Sequence, residues 1–394
     1  VKCAATLIAL SVLLILAPAP HRAAAQENGA PPGAPKLDAG SWALIDADTG
    51  LYLAGKDPDK QVPIASTTKI MLAIVVLDES VDMDKKVTVS EDAAAYAGSI
   101  YSNVGLYPYD QVSVEDLLTA SLVPSGTDAD YALAEYLGDG SVDEFVDKMN
   151  DKAKEMGLKN THFENPAGID DPKNYSSAAD LAKMAREAMK YPEFRKIVAE
   201  PQATISTQDR QIQIVNTNLL VVPNSGYEYG PATGVKTGTS LQAGPCLVAS
   251  AQSGDESYIA VILDAAGDTQ RFDAARTALE YGFGKFENEP LVKQGDDFAD
   301  LELPYRRDET VKLVAAKNVT ALAGPGLKVA RQATHKEAPP SAKKGQQLGT
   351  VKVSVEGRNA GSSPLIVQQG YEAASLWQRT TYLAGGLKRW ILQR

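Results

Sequence analysis

Hydrophobic spacing changes period several times along the chain. The apolar run Leu7–Leu16 follows Lys2 and precedes Ala23-Ala24-Ala25. A positive start, a short apolar stretch and a small-residue cleavage site predict a secretory signal peptide over 1–25. The run is shorter than the ~20 residues a membrane span needs. Residues 26–36 are rich in Pro, Gly and Ala and predict a flexible leader. Trp42–Asp46 and Leu51–Leu53, separated by Asp48-Thr49-Gly50, read as strand, turn, strand. Ile70–Leu77 is apolar nearly all round and predicts a buried helix directly after Ser66.

Helical spacing recurs at Val114–Leu122, Thr127–Leu137, Val142–Met156 and Ala178–Met189, the last preceded by the capping residues Ser176-Ser177. Beyond Gly234, Cys246–Gln252 and Tyr258–Leu263 have strand character and flank the hairpin turn Ser253-Gly254-Asp255-Glu256. Thr269 is expected to cap a helix presenting Phe272, Ala275, Leu279 and Phe283. Strands at both ends with helices between predict a discontinuous α+β domain over 37–286, its two ends closing one antiparallel sheet. Short β-type runs follow at Val311–Ala315, Val319–Ala323, Leu327–Ala330 and Val351–Val355, so a small β-rich domain is expected over 287–370. From Glu372 the period is helical, with Leu376, Leu383, Leu387, Trp390 and Ile391 on one face and Arg379, Lys388 and Arg389 away from its centre. Such a basic amphipathic helix over 371–394 is expected to face an anionic membrane surface; the alternative is packing on its own domain.

Composition narrows the function. The 394 residues carry a formal net charge of -11, which argues against nucleic acid as partner, since phosphate binding needs a basic footprint. Cys3 falls in the signal segment, leaving Cys246 alone, so no disulfide framework is expected. Cys246 reads as core packing. No cysteine or histidine cluster has ligand spacing, and no metal is expected. Of the three histidines, His21 lies in the signal segment and His335 far along the chain. A Ser-His-Asp hydrolase would therefore depend on His162, so a nucleophile here is expected to use another base.

Ser66-Thr67-Thr68-Lys69 forms an S-x-x-K, followed in order by Ser125-Gly126-Thr127 and Lys236-Thr237-Gly238. Alone, S-x-x-K is weak: Ser341-Ala342-Lys343-Lys344 matches it too, without an apolar helix behind it. Ser66 and Lys69, three apart at the head of a buried helix, share one face. A serine hydroxyl needs a base to take its proton, and lysine serves only when burial or nearby positive charge lowers its pKa. The helix N-terminus and the Ser66 amide suit an oxyanion. Lys236-Thr237-Gly238 reads as a polar edge strand able to align an extended peptide and hold a carboxylate, with Gly238 permitting close backbone approach.

This ordered triple resembles the signature shared by penicillin-binding proteins and class A β-lactamases. The closer resemblance is to the low-molecular-mass D-alanyl-D-alanine carboxypeptidases, through Leu122-Val123-Pro124-Ser125-Gly126, His162-Phe163-Glu164-Asn165-Pro166-Ala167-Gly168, Tyr175-Ser176-Ser177-Ala178-Ala179-Asp180-Leu181-Ala182 and Asn216-Thr217-Asn218-Leu219-Leu220. It implies a β-lactamase/transpeptidase-like catalytic domain, a β-rich C-terminal domain and an amphipathic tail. By the same resemblance Ser66 is the nucleophile, Lys69 its general base and Ser125 the proton relay. Lys236 and Thr237 would hold the substrate carboxylate, and the amides of Ser66 and Thr239 the oxyanion. The implied substrate is the peptidoglycan stem peptide outside the cytoplasmic membrane, with β-lactams as covalent inhibitors and no cofactor.

One departure stands out. The family's second motif usually ends in Asn, and Thr127 takes its place. An amide accepts and donates at once, whereas a hydroxyl has one proton to give, so activity is expected to be altered rather than lost. Two rivals follow from the same residues. One is a class A-like β-lactamase, although over a hundred residues continue after Tyr281. The other is a non-catalytic homologue that binds wall peptide.

Overall fold

The computed structural model describes residues 31 and 33–392, the last seven by backbone alone. The expected signal peptide and most of the leader lie outside the described residues. Strand β1 (Ala39–Asp46) turns into β2 (Tyr52–Lys56). The Asp46 carboxylate accepts the Thr49 amide at 2.7 Å, and Gly50 supplies a φ of +68°, which favours glycine. A 3₁₀ turn, Ala65–Thr68, runs straight into α1 (Lys69–Asp78), buried from Lys69 to Val76. Next come β3 (Lys86–Thr88), α2 (Glu91–Ala95), β4 (Gln111–Ser113), α3 (Val114–Leu122), α4 (Thr127–Leu137), α5 (Val142–Glu155) and α6 (Ala178–Ala188). Helix α7 (Pro192–Ala199) and the hairpin β5–β6 (Gln202–Ser206, Gln211–Val215) lead to β7 (Ala232–Ser240), β8 (Gly244–Ser253), β9 (Glu256–Ala265) and α8 (Gln270–Lys285).

The main sheet has the order β2-β1-β9-β8-β7, all neighbours antiparallel. The first strands thus pair with the last, as the split pattern of strands predicted. Strand alternation divides the side chains between two cores. Ala43, Ile45, Cys246, Val248, Ile259 and Val261 join α1 and the helices following it. Trp42, Leu44, Leu247, Ala249, Ala260 and Ile262 join α8 on the other face. Because β8 and β9 are covered on both faces, they read as continuous apolar runs.

That second core continues through Phe286, Leu291 and Val292 into the β-rich part. There β11 (Asp297–Glu302), β12 (Thr310–Ala315), β14 (Val329–His335), β15 (Gln347–Val355) and β16 (Arg358–Val367) form a sheet ordered β11-β12-β16-β15-β14, while β10 (Glu287–Val292) pairs with β13 (Val319–Ala323). Helix α9 (Leu376–Leu392) ends the described chain.

Several expectations need correction. Thr269 does not cap α8: its backbone is helical and its side chain makes no cap bond. The strand expected at Leu327–Ala330 is β14, which starts two residues later and runs on to His335 with every side chain exposed. Such a strand lacks the buried alternation that would reveal it. Helix α9 begins at Leu376, because Ser375 Oγ accepts the Gln378 amide while Gln378 Oε1 accepts that of Ser375, a reciprocal cap. Helices α2 and α7 and the β5–β6 hairpin were unforeseen; each is short.

Candidate active site

Ser66 lies in the 3₁₀ turn, half-buried, while Ala65, Thr67, Thr68 and Lys69 around it are buried. The turn begins with Ala65 at φ +46°, a costly conformation for a non-glycine residue. Gly168 buttresses it: a Cβ there would fall 1.9 Å from the Ala65 carbonyl oxygen. Asn165 holds that loop in place, its Oδ1 accepting the Gly168 and Ile169 amides at 2.8 and 2.9 Å. The Asn165–Gly168 segment therefore shapes the turn that carries the serine.

The edge strand β7 closes on the same turn at Gly238, where a Cβ would meet the Ser66 and Thr67 amide nitrogens at 3.1 Å and the Ile64 carbonyl at 2.9 Å. Only glycine allows that approach. Arg271 of α8, itself buried, donates through Nη1 to the Gly238 carbonyl at 3.0 Å and to Thr239 Oγ1 at 2.7 Å. Thr237 shares a hydrogen bond with Thr217 Oγ1 at 2.6 Å, and the Thr217 amide donates to the Val123 carbonyl. The strand is thus tied both to α8 and to the segment ending α3.

Ser125 sits before α4 with φ +71°, its Oγ buried and without a partner among the described residues. Its carbonyl accepts Lys69 Nζ at 2.7 Å. Gly126 donates to the Ala120 carbonyl at 2.8 Å, and the Thr127 amide to Ser102 at 2.7 Å. The Asp128 carboxylate takes the Val104 and Leu106 amides, anchoring the loop before β4 to the start of α4. Thr127 is buried beside these groups.

Lys69 and Lys236 are both buried. Lys236 Nζ donates to its neighbour's carbonyl, that of Thr237, at 3.1 Å. Burial first, then the positive charge of Lys69, hold Lys236 well below the ordinary lysine range; Asp130 opposes this and Arg271 adds to it. Lys69 has a direct counter-charge: Asp130 Oδ2 lies 2.6 Å from its Nζ, with both side chains fully buried. Burial pushes the Asp130 carboxyl up, against the pull of Lys69, Ser121 and Lys236.

His162 lies elsewhere in this arrangement. Its ring faces Glu164 Oε1 at 3.1 Å, and its backbone bridges Tyr175. Cys246 is packed in the core, where burial pushes its thiol up to about 11.

A family description of D-alanyl-D-alanine carboxypeptidase matches residues 27–267, and one for the C-terminal domain of penicillin-binding protein 5 matches 286–373. D-alanyl-D-alanine carboxypeptidase DacF of Bacillus subtilis is 33% identical over 380 residues, covering 94% of both chains. DacC of Escherichia coli is 35% identical, covering 88% of this chain and 87% of its own.

The chain belongs to the D-alanyl-D-alanine carboxypeptidase family.

Solved structures agree with this membership. The Streptomyces K15 DD-transpeptidase superposes with a TM-score of 0.59 at 37% identity, covering 64% of this chain and 99% of its own. Penicillin binding protein 5 from Haemophilus influenzae gives 0.64 at 30% identity over 86% of this chain and 98% of its own. As a member of this carboxypeptidase family, the chain is a serine hydrolase with an α+β catalytic domain and a β-rich C-terminal domain.

The structure brings Ser66, Lys69, Ser125, Thr127, Lys236, Thr237 and Gly238 to one place, with Thr239 exposed at its rim. Sequence reasoning missed Asp130, Arg271, Thr217 and the buttress at Gly168. Asp130 left a trace: an acid three residues after Thr127 lies on the same helix face, in a helix otherwise apolar there. Arg271 left none, since an arginine beside Phe272 reads equally well as a solvated position.

Proposed function

We propose that this carboxypeptidase removes the terminal D-alanine from peptidoglycan pentapeptide stems through an acyl-enzyme on Ser66. The observation that carries the proposal is the meeting of three motifs far apart in sequence: Lys69 Nζ on the Ser125 carbonyl, and Gly238 against the Ser66 amide. Ser66 Oγ attacks the carbonyl carbon of the penultimate residue, and its proton passes to Lys69 once that side chain has become a free amine. The amides of Ser66 and Thr239 take the developing oxyanion. Lys236, Thr237 and Thr239 hold the terminal carboxylate, with Arg271 fixing their strand. Ser125, its Oγ free of partners among the described residues, delivers a proton to the leaving amine as the C–N bond breaks and D-alanine departs. Water then cleaves the ester and restores Ser66. No cofactor enters any step.

Work on this substrate puts the exported chain outside the cytoplasmic membrane. Helix α9 supports a membrane-facing tail: Leu376, Trp377 and Leu383 are exposed, as suits an interfacial helix. Among the described residues no helix is long and apolar enough to cross a membrane.

Peptide mass spectrometry after incubation with penicillin tests the chemistry. A long-lived adduct on the peptide containing Ser66 is expected, absent from Ser66→Ala and from a folded Lys69→Ala. Rapid penicillin turnover would indicate a β-lactamase instead. A folded protein that releases no D-alanine from a pentapeptide would be a binding homologue.

A further inference from the structure

The buried site holds two lysines and one carboxylate that the family signature does not supply. Asp130 belongs to the first turns of α4, three residues after Thr127, so the two side chains share a face. An acid near a helix N-terminus is also favoured by the helix dipole. Its neighbours come from three elements: Lys69 of α1, Ser121 of α3 and Lys236 of β7. Lys69 in turn contacts the Ser125 carbonyl and is opposed by the charge of Lys236, on which Arg271 of α8 also acts. Asp130 Oδ2 lies 2.6 Å from Lys69 Nζ with both side chains fully buried, and the Ser121 hydroxyl also pulls on the carboxylate.

A buried charge is tolerated only when paired. Asp130 can pair closely with one lysine, and the geometry selects Lys69. Among the described residues Lys236 has no carboxylate at contact distance, and its proton is the weakly held one. The Asn amide that usually ends the second motif is missing, and Thr127 is too short to reach as an amide does. An acid one turn further along the same face meets Lys69 instead.

We propose that Asp130 is the positioning residue for Lys69, fixing its ammonium in the resting site and setting the pH at which it becomes free to act as base. This rests on the assignment of Lys69 as the base. The consequence is an acylation rate that climbs with pH until Lys69 yields its proton against the pull of Asp130.

The test compares the full chain with Asp130→Asn, which keeps the shape and removes the charge. The primary readout is the titration of Lys69 by NMR on protein carrying ¹³C,¹⁵N-lysine, the resonance being assigned by its loss in Lys69→Arg. In the wild type Lys69 is expected to be an ammonium at neutral pH. In Asp130→Asn its titration should move to lower pH. The acid limb of penicillin acylation at Ser66 should move with it, a displacement that loss of packing alone would not produce. A neutral Lys69 amine in the wild type at neutral pH, or coincident titrations in the two proteins, would overturn the proposal. If Asp130→Asn does not fold, the wild-type resonance decides. If the wild type neither acylates nor releases D-alanine, the functional assignment falls, while the same resonance still answers for the ion pair.

Discussion

Gly168 has φ +81° and its Cα faces the Ala65 carbonyl so closely that no side chain fits between them. Gly168→Ala should cost about 1–2 kcal/mol through its left-handed backbone alone, and more through displacement of the turn that carries Ser66. A lower melting temperature together with slower penicillin acylation is expected, and an unchanged melting temperature would refute the buttress role. Lys236 illustrates the opposite balance, function kept at the expense of stability. Its folded-state pKa lies below the unfolded value of 10.5, so between the two values the unfolded chain binds more protons and stability rises with pH. Lys236→Met should therefore melt higher than the wild type near neutrality, and the difference should shrink as pH approaches 10.5. Calorimetry across that range checks the sign, and a gain that grows with pH would contradict it.

At the level of elements, the site is a junction of α1 with its 3₁₀ turn, the N-terminus of α4 and the edge strand β7. Lys69 is the first residue of α1, yet its partners Ser125 and Asp130 belong to α4 and the segment before it. Among the described residues strand β7 pairs only with β8, so its outer edge is open along the motif. Gly238→Ala would press a methyl group on the Ser66 and Thr67 amides from 3.1 Å and push strand and turn apart. Acylation should fall by about tenfold to a hundredfold with little change in melting temperature, since only an edge moves. Equal acylation by the variant would show that strand and turn tolerate separation. Periodicity revealed α1, α3, α4, α5 and α6 because each buries a face. It caught only the start of β14, whose side chains are all exposed, and missed short elements such as α2.

Over the whole molecule, one core joins the two parts: Leu279 and Phe286 share it with Val292, Leu313 and Val351. The tail is attached more lightly. Tyr305 packs edge-on against Tyr382, with the Arg379 guanidinium 5.5 Å from the Tyr305 ring, while Leu376, Trp377 and Leu383 stay exposed. Removing residues 376–394 should abolish sedimentation with anionic lipid vesicles and leave penicillin acylation intact. Retained vesicle binding would mean that some other surface meets lipid.

Local rules reached far in this chain. Motif order, the apolar helix behind Ser66, and the placing of strands before and after the helices were all legible, because they follow from spacing and burial along one segment at a time. Family membership rested on the same short segments. What spacing could not express is which charges meet across segments. The pairing of Lys69 with Asp130, the hold of Arg271 on the Gly238 strand and the wedge of Gly168 under Ala65 join residues from about thirty to about a hundred positions apart. Only the folded chain brings such groups within a few ångströms in a dry interior, where charge and contact gain their strength.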